Sequence, residues 1–180
     1  YIALDGDHPI NRGYDGARRI IGGTRLIEVE AAADVALPFL FIPDFPDLPM
    51  EEVYAREEPR GAAVVARERG GGRTVYFPWN IGSLFWEVLA QDHQRLIANA
   101  VRWALHHRSA VEVTGAGVLD IAVRENAEGL AVVMHNLTNP MMMKGPIRAV
   151  LPVGPQRVSV ALPAGRALAA ARLLVAGAEV

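Results

Sequence analysis

From Asp92 onward, apolar residues fall at Leu96, Ile97, Ala100, Val101, Ala104 and Leu105, and after Arg108 that spacing does not return. Steps of three and four place these side chains along one face of a helix. Beyond it the apolar runs are short and β-rich, at residues 111–113, 118–124, 130–136, 156–162 and 170–175. Asn126-Ala-Glu-Gly129 is a hairpin-loop sequence, and Pro152, Gly154, Pro155, Pro163 and Gly165 punctuate the later runs. Short strands at such intervals predict a small β-sandwich. The change of period therefore divides the chain into an α/β part, residues 1–109, and an all-β part, residues 110–180.

The helix is expected to open on Asp92, whose carboxylate can cap free N–H groups, and to stop near Arg108. His106, His107 and Arg108 then lie where the negative end of the helix dipole favours cations. Upstream, Tyr1-Ile-Ala-Leu-Asp5 reads as a strand, His8-Pro9 and Asn11-Arg-Gly13 as a loop, and residues 24–29 as strand-like alternation. Residues 37–42 form an apolar run that ends at Pro43, and residues 61–67 and 73–77 flank Gly70-Gly-Gly72 as two arms of a hairpin or neighbouring strands. The glycine cluster has neither GxGxxG spacing nor the Lys-Ser/Thr of a phosphate loop, and it precedes a strand rather than a helix, so it is a tight turn.

With 51% hydrophobic residues, 180 residues suffice for one ordinary domain or two small ones. The balance of 18 Lys+Arg against 20 Asp+Glu gives a net charge of -2, which provides no basic field for nucleic acid or an anionic membrane. Zero cysteines exclude disulfides, thiolate metal sites and a cysteine nucleophile, and fit a cytoplasmic location. No signal-peptide pattern or membrane-length apolar run is present, so a soluble protein is expected. The abrupt start at Tyr1, in place of Met, predicts a piece of a longer polypeptide.

The titratable residues do not assemble into a reaction centre along the sequence. Of the five histidines, His8, His93, His106, His107 and His135, the adjacent His106 and His107 project about 100° apart on a helix and make a poor ligand pair. His93 is expected at the surface or against a loop. Asp5, Asp7, Asp15, Asp44, Asp47, Glu51 and Glu52 read as solvated loop charges, since a carboxylate pair needs a defined separation that this pattern does not supply. Ser83 lacks the Gly-x-Ser-x-Gly elbow of a hydrolase nucleophile. No catalytic residue, metal site or cofactor is assigned.

Three residues stand out as binding candidates: Trp79, Asn80 and Phe45. Aromatic faces stack on the C–H surfaces of sugar rings, and an amide beside one can bond a hydroxyl. Tyr76 and Phe77 alternate across a strand, and Phe85 and Trp86 anchor the following helix, so these read as core. Trp79 follows Pro78 at the strand's end, where open α/β sheets place ligands, and is expected to be exposed. Phe45 is the natural anchor of the proline-stiffened loop Asp44-Phe-Pro-Asp-Leu-Pro49. Met141-Met-Met143 is expected to pack against a neighbouring domain rather than bind a soft metal.

Gly72-Arg-Thr-Val-Tyr-Phe-Pro-Trp-Asn-Ile-Gly82, Phe85-Trp-Glu87, Asp92-His93 and Asn99-Ala-Val-Arg-Trp103 together resemble the C-terminal part of the β-galactosidase trimerisation domain. His8-Pro9 and Arg19-Ile-Ile-Gly22 fit the same pattern. Gly115-Ala-Gly-Val-Leu-Asp120 and Asn136-Leu-Thr-Asn-Pro-Met-Met-Met-Lys-Gly-Pro146 resemble the β-sandwich that follows it in those multidomain proteins. The resemblance implies an incomplete flavodoxin-like domain related to class I glutamine amidotransferases, then a β-sandwich. The amidotransferase activity needs a cysteine nucleophile and is not carried over. In the related glycosidases the catalytic glutamates belong to an upstream TIM barrel. What the resemblance implies for this chain is homo-oligomerisation, as a trimer, and a contribution to the wall of a carbohydrate site. A carbohydrate-binding module centred on Trp79 is the alternative, and no catalysis is expected from this chain alone.

Overall fold

Two consecutive glycines fold the first hairpin. Gly70 and Gly71 have φ of 58° and 79°, the left-handed values that both central residues of a tight type I′ turn require and that a Cβ disfavours. They join β4 (Ala62–Arg69) to β5 (Gly72–Tyr76) in register, with Arg69 opposite Gly72 and Val65 opposite Tyr76. The computed structural model describes residues 1–43, 49, 52, 58–127, 129–139, 146 and 149–179. The chain divides into two units, Tyr1–Arg108 and Ser109–Val180.

In the first unit, β1 (Ile2–Leu4), β2 (Arg19–Ile20) and β3 (Ala36–Phe41) join that hairpin in a five-stranded sheet of order β2-β1-β3-β4-β5. Every pairing is antiparallel, so the described strands include none of the parallel pairs on which a flavodoxin-like sheet is built. Pro38 sits inside β3, where it has no N–H for the ladder. The β3–β4 register shifts on both sides of Phe39, while the Pro38 carbonyl accepts the Asp5 N–H at 2.9 Å. Residues 24–29 form no strand; Leu26 makes a single antiparallel bridge to Trp79.

Two helices follow the sheet, α1 (Ile81–Val88) and α2 (Gln91–Ala104). The latter packs on β5 and on a short 3-10 turn, Pro9–Asn11. Of the apolar stripe of α2, Leu96 and Ala100 are buried while Val101 and Leu105 stay more than half exposed, and Leu96 with Trp103 joins the core cluster of Ile2, Ile10, Phe39 and Val64. Its ends differ from the sequence expectation. The N-cap is Ala90, without a side-chain bond, and Asp92 sits two residues further on in the first turn, 3.6 Å from Arg95. At the other end His106 and His107 take φ of 52° and 58° and lie beyond the helix. Their N–H groups bond the carbonyls of Trp103 and Arg102 at 3.0 and 2.8 Å, the Schellman pattern that satisfies the last carbonyls.

The second unit consists of two-stranded ribbons: β6 (Val111–Thr114) with β9 (Arg157–Val160), β7 (Leu119–Glu125) with β8 (Leu130–Asn136), and β10 (Arg172–Leu173) with β11 (Ala178–Glu179). Asn126 and Gly129 close the β7–β8 hairpin, with Gly129 N–H donating to Asn126 Oδ1 at 2.9 Å. Both longer ribbons are two-faced. Val111 opposes Val160 and Val113 opposes Val158, while Glu112 opposes Ser159 and Thr114 opposes Arg157. In the other ribbon Ile121 pairs with Met134 and Val123 with Val132, and Asp120 pairs with His135. No described residue of this unit is fully buried. Among the described elements strands outnumber helices, with α1 and α2 both in the first unit, so the fold is mixed α/β.

Candidate functional site

Pro78 ends β5, because it cannot donate to a ladder, and the next residues turn inward. Trp79 is only 7% exposed. Its indole N–H donates to the Ala63 carbonyl at 2.8 Å, and its ring meets His93 edge-on with centroids 5.5 Å apart. The expectation of an exposed Trp79 platform is therefore corrected. The strand ends under the segment 22–27 rather than at an open mouth, and Ile27 N–H donates to the Pro78 carbonyl at 2.7 Å.

Asn80 is committed locally. Its Oδ1 accepts the N–H groups of Thr24 and Arg25, both at 3.1 Å, and its Nδ2 donates to Thr24 Oγ1 at 3.0 Å and Ser83 Oγ at 3.3 Å. The side chain pins the 22–27 segment to the start of α1, in place of meeting a ligand. Asn80→Ala is expected to lower stability by about 1 kcal/mol, since water replaces part of these half-exposed bonds. Amide exchange at Thr24 and Arg25 should accelerate first. The third candidate, Phe45, lies outside the described residues, as do Asp44, Asp47, Glu51 and Met141-Met-Met143.

His93, expected near the surface, is fully buried on the inner side of α2. It does contact a loop: Nε2 is 2.8 Å from the Ile21 carbonyl, to which it donates. No described residue bonds its Nδ1. Trp86, expected to anchor α1, is 55% exposed. Among the described residues no group of three or more His, Asp or Glu side chains is arranged to hold a metal ion.

A shallow groove of the first unit lies elsewhere. A groove of about 330 Å³ opens between the segment 29–35 and the hairpin, lined by aliphatic Val29, Val35 and Val65 together with Arg67, Thr74 and Tyr76. The strand register explains the set: Val65 pairs with Tyr76 and Arg67 with Thr74, so all four share one face. On the other face Val64 and Ala66 are buried. Arg67 Nε and one terminal nitrogen donate to Asp34 Oδ2 at 3.0 and 2.5 Å. Tyr76 is 48% exposed beside this pair. Arg67 and Asp34 were not legible as neighbours, because their contact spans thirty-three positions; the alternation of Thr74 and Tyr76 in β5 was the available signal.

A second polar cluster joins the 8–14 segment to α2. The Tyr14 hydroxyl donates to the Asp92 carbonyl at 3.0 Å. Burial, and then the Asp92 carboxylate, push this phenol well above its ordinary range, with Arg95 offsetting part of the effect. No protein-family model matches the chain, and no curated protein or solved structure does so either.

Proposed function

We propose that this chain is the non-catalytic C-terminal portion of a glycoside-hydrolase-like protein, serving oligomer assembly and the shaping of a carbohydrate site. The observation that carries the assembly reading is the amount of patterned apolar surface left open. In the second unit Ile121, Met134, Val158 and Val160 all lie on apolar ribbon faces and are 38–40% exposed. In the first, Trp86 and Val88 of α1 and Val101 and Leu105 around the end of α2 are more than half exposed. Patterned apolar faces of this kind belong against another surface. In this reading the antiparallel sheet is the closing part of an incomplete flavodoxin-like domain, and the ribbons belong to a small sandwich. The Tyr76 groove, with an aromatic face beside an Arg–Asp pair and a hydroxyl, supports the site-shaping role better than buried Trp79 does.

Light scattering on the intact parent tests the assembly. A trimer is expected, and a strictly monomeric parent overturns the reading. A Val101→Glu, Leu105→Glu double variant is expected to shift the mass toward the monomer while leaving the circular dichroism spectrum unchanged.

A further inference from the structure

A histidine ring caps the turn by which the 8–14 segment meets α2. His8 Nδ1 accepts the Ile10 N–H at 3.2 Å and so caps the 3-10 turn; that nitrogen must carry no proton to do so. The capped turn presents two carbonyls to α2, where Asn99 Nδ2 donates to Ile10 O at 3.0 Å and Arg12 O at 2.9 Å. Ile10 itself is fully buried.

The His8 ring also lies against Trp103 of α2, with centroids 5.2 Å apart. The Arg73 guanidinium, from β5, is 5.0 Å from the centre of the same indole. Arg73 is paired with Glu68 of β4 at 2.9 Å and donates to the Trp103 carbonyl at 3.2 Å. On the segment itself Asp5, Asp7 and Arg12 carry charge, and α2 brings Arg95 against Gly13. Asn99 and Trp103, which α2 turns toward the capped turn, are neutral.

We propose that protonation of His8 releases the 8–14 segment from α2, so that this contact is an acid-sensitive clamp. A proton on Nδ1 turns the acceptor into a donor that faces the Ile10 N–H, and it makes the ring a second cation that the nearby Arg73 guanidinium repels. Both changes disfavour the docked turn. Burial, and then Arg73, hold His8 below the usual histidine value. Because the folded-state value is depressed, the stabilisation is complete above the unfolded value of about 6.5. It is lost as pH falls through the lower, folded-state value.

Hydrogen exchange by NMR on the full chain, from pH 8 to pH 5 and corrected for intrinsic rates, tests the clamp. In the wild type, opening at the Ile10 amide should rise as the His8 ring resonances titrate, by about tenfold for each unit by which the folded value is depressed. In His8→Asn, whose side-chain oxygen can still cap the turn but does not titrate, opening should stay flat with pH. An equal rise in His8→Asn overturns the proposal. So does unchanged Ile10 protection in the wild type while the His8 ring titrates, a result that does not depend on any variant folding.

Discussion

Replacing Trp79 with alanine is expected to destabilise the first unit by about 3–5 kcal/mol, the range for truncating a buried aromatic side chain. Three losses combine. The indole, 7% exposed, is part of the cluster that includes Val64, Leu96 and Trp103, and its removal leaves a large void there. The Ala63 carbonyl loses the indole N–H donor that lies 2.8 Å away, and a buried carbonyl without a partner is costly. His93, which meets the ring edge-on, loses its aromatic neighbour in a place where its Nδ1 already has no described partner. Urea unfolding followed by circular dichroism measures the change. Trp79→Phe should recover much of it, because the void is smaller although the hydrogen bond is still absent. If Trp79→Ala unfolded at the wild-type midpoint, the indole would have to be an exposed platform, and the core assignment would fail.

Gly23→Ala is expected to cost about 1–3 kcal/mol, through overpacking. A Cβ at this position would lie 2.6 Å from Trp79 Cε3 and 2.7 Å from Asn80 Oδ1, closer than non-bonded atoms sit. Neither neighbour can retreat freely: the indole is held by its bond to Ala63, and the Asn80 oxygen by two backbone N–H groups. The 22–27 segment must shift instead. Gly16→Ala is a useful contrast, because nothing lies within 4 Å of its added Cβ and only its φ of 83° opposes the change. Thermal unfolding of the two variants separates close approach from backbone strain. Lost amide protection at Thr24 and Arg25 is expected only in Gly23→Ala.

These two positions also show why Trp79 is hard to interpret from its neighbours in the chain. A tryptophan after Pro78 at a strand end has the local sequence of an exposed ligand platform. Its burial depends on Gly23, Leu26 and Ile27, more than fifty positions upstream, which fold over the strand end. The same distance hides the role of Asn80. Tyr76, placed in the core by alternation with Phe77, faces the groove instead, while Phe77 packs against the core. The alternation itself was correct, but which face is covered depends on the segment 29–35 and on Asp34, whose bond to Arg67 no spacing rule anticipates.

Local patterns were otherwise informative. The i, i+3, i+4 stripe located α2, and the β-rich runs on either side of Gly70-Gly-Gly72 correspond to β4 and β5. The later runs at 111–113, 118–124 and 130–136 correspond to β6, β7 and β8. The helix ends were less legible. Asp92 has the chemistry of a cap, but the chain enters α2 two residues earlier at Ala90, and a backbone motif closes its other end.

By itself, then, the sequence located the Gly70-Gly71 turn, the strands β4 to β8 and the helix α2, because φ preference and side-chain period act between residues a few positions apart. The tertiary structure decided the antiparallel order β2-β1-β3-β4-β5, the burial of Trp79 and His93, the Tyr76 groove and the His8 clamp on α2. Each of these depends on which distant segment covers a surface or supplies a bonding partner, and that is set by packing the whole chain.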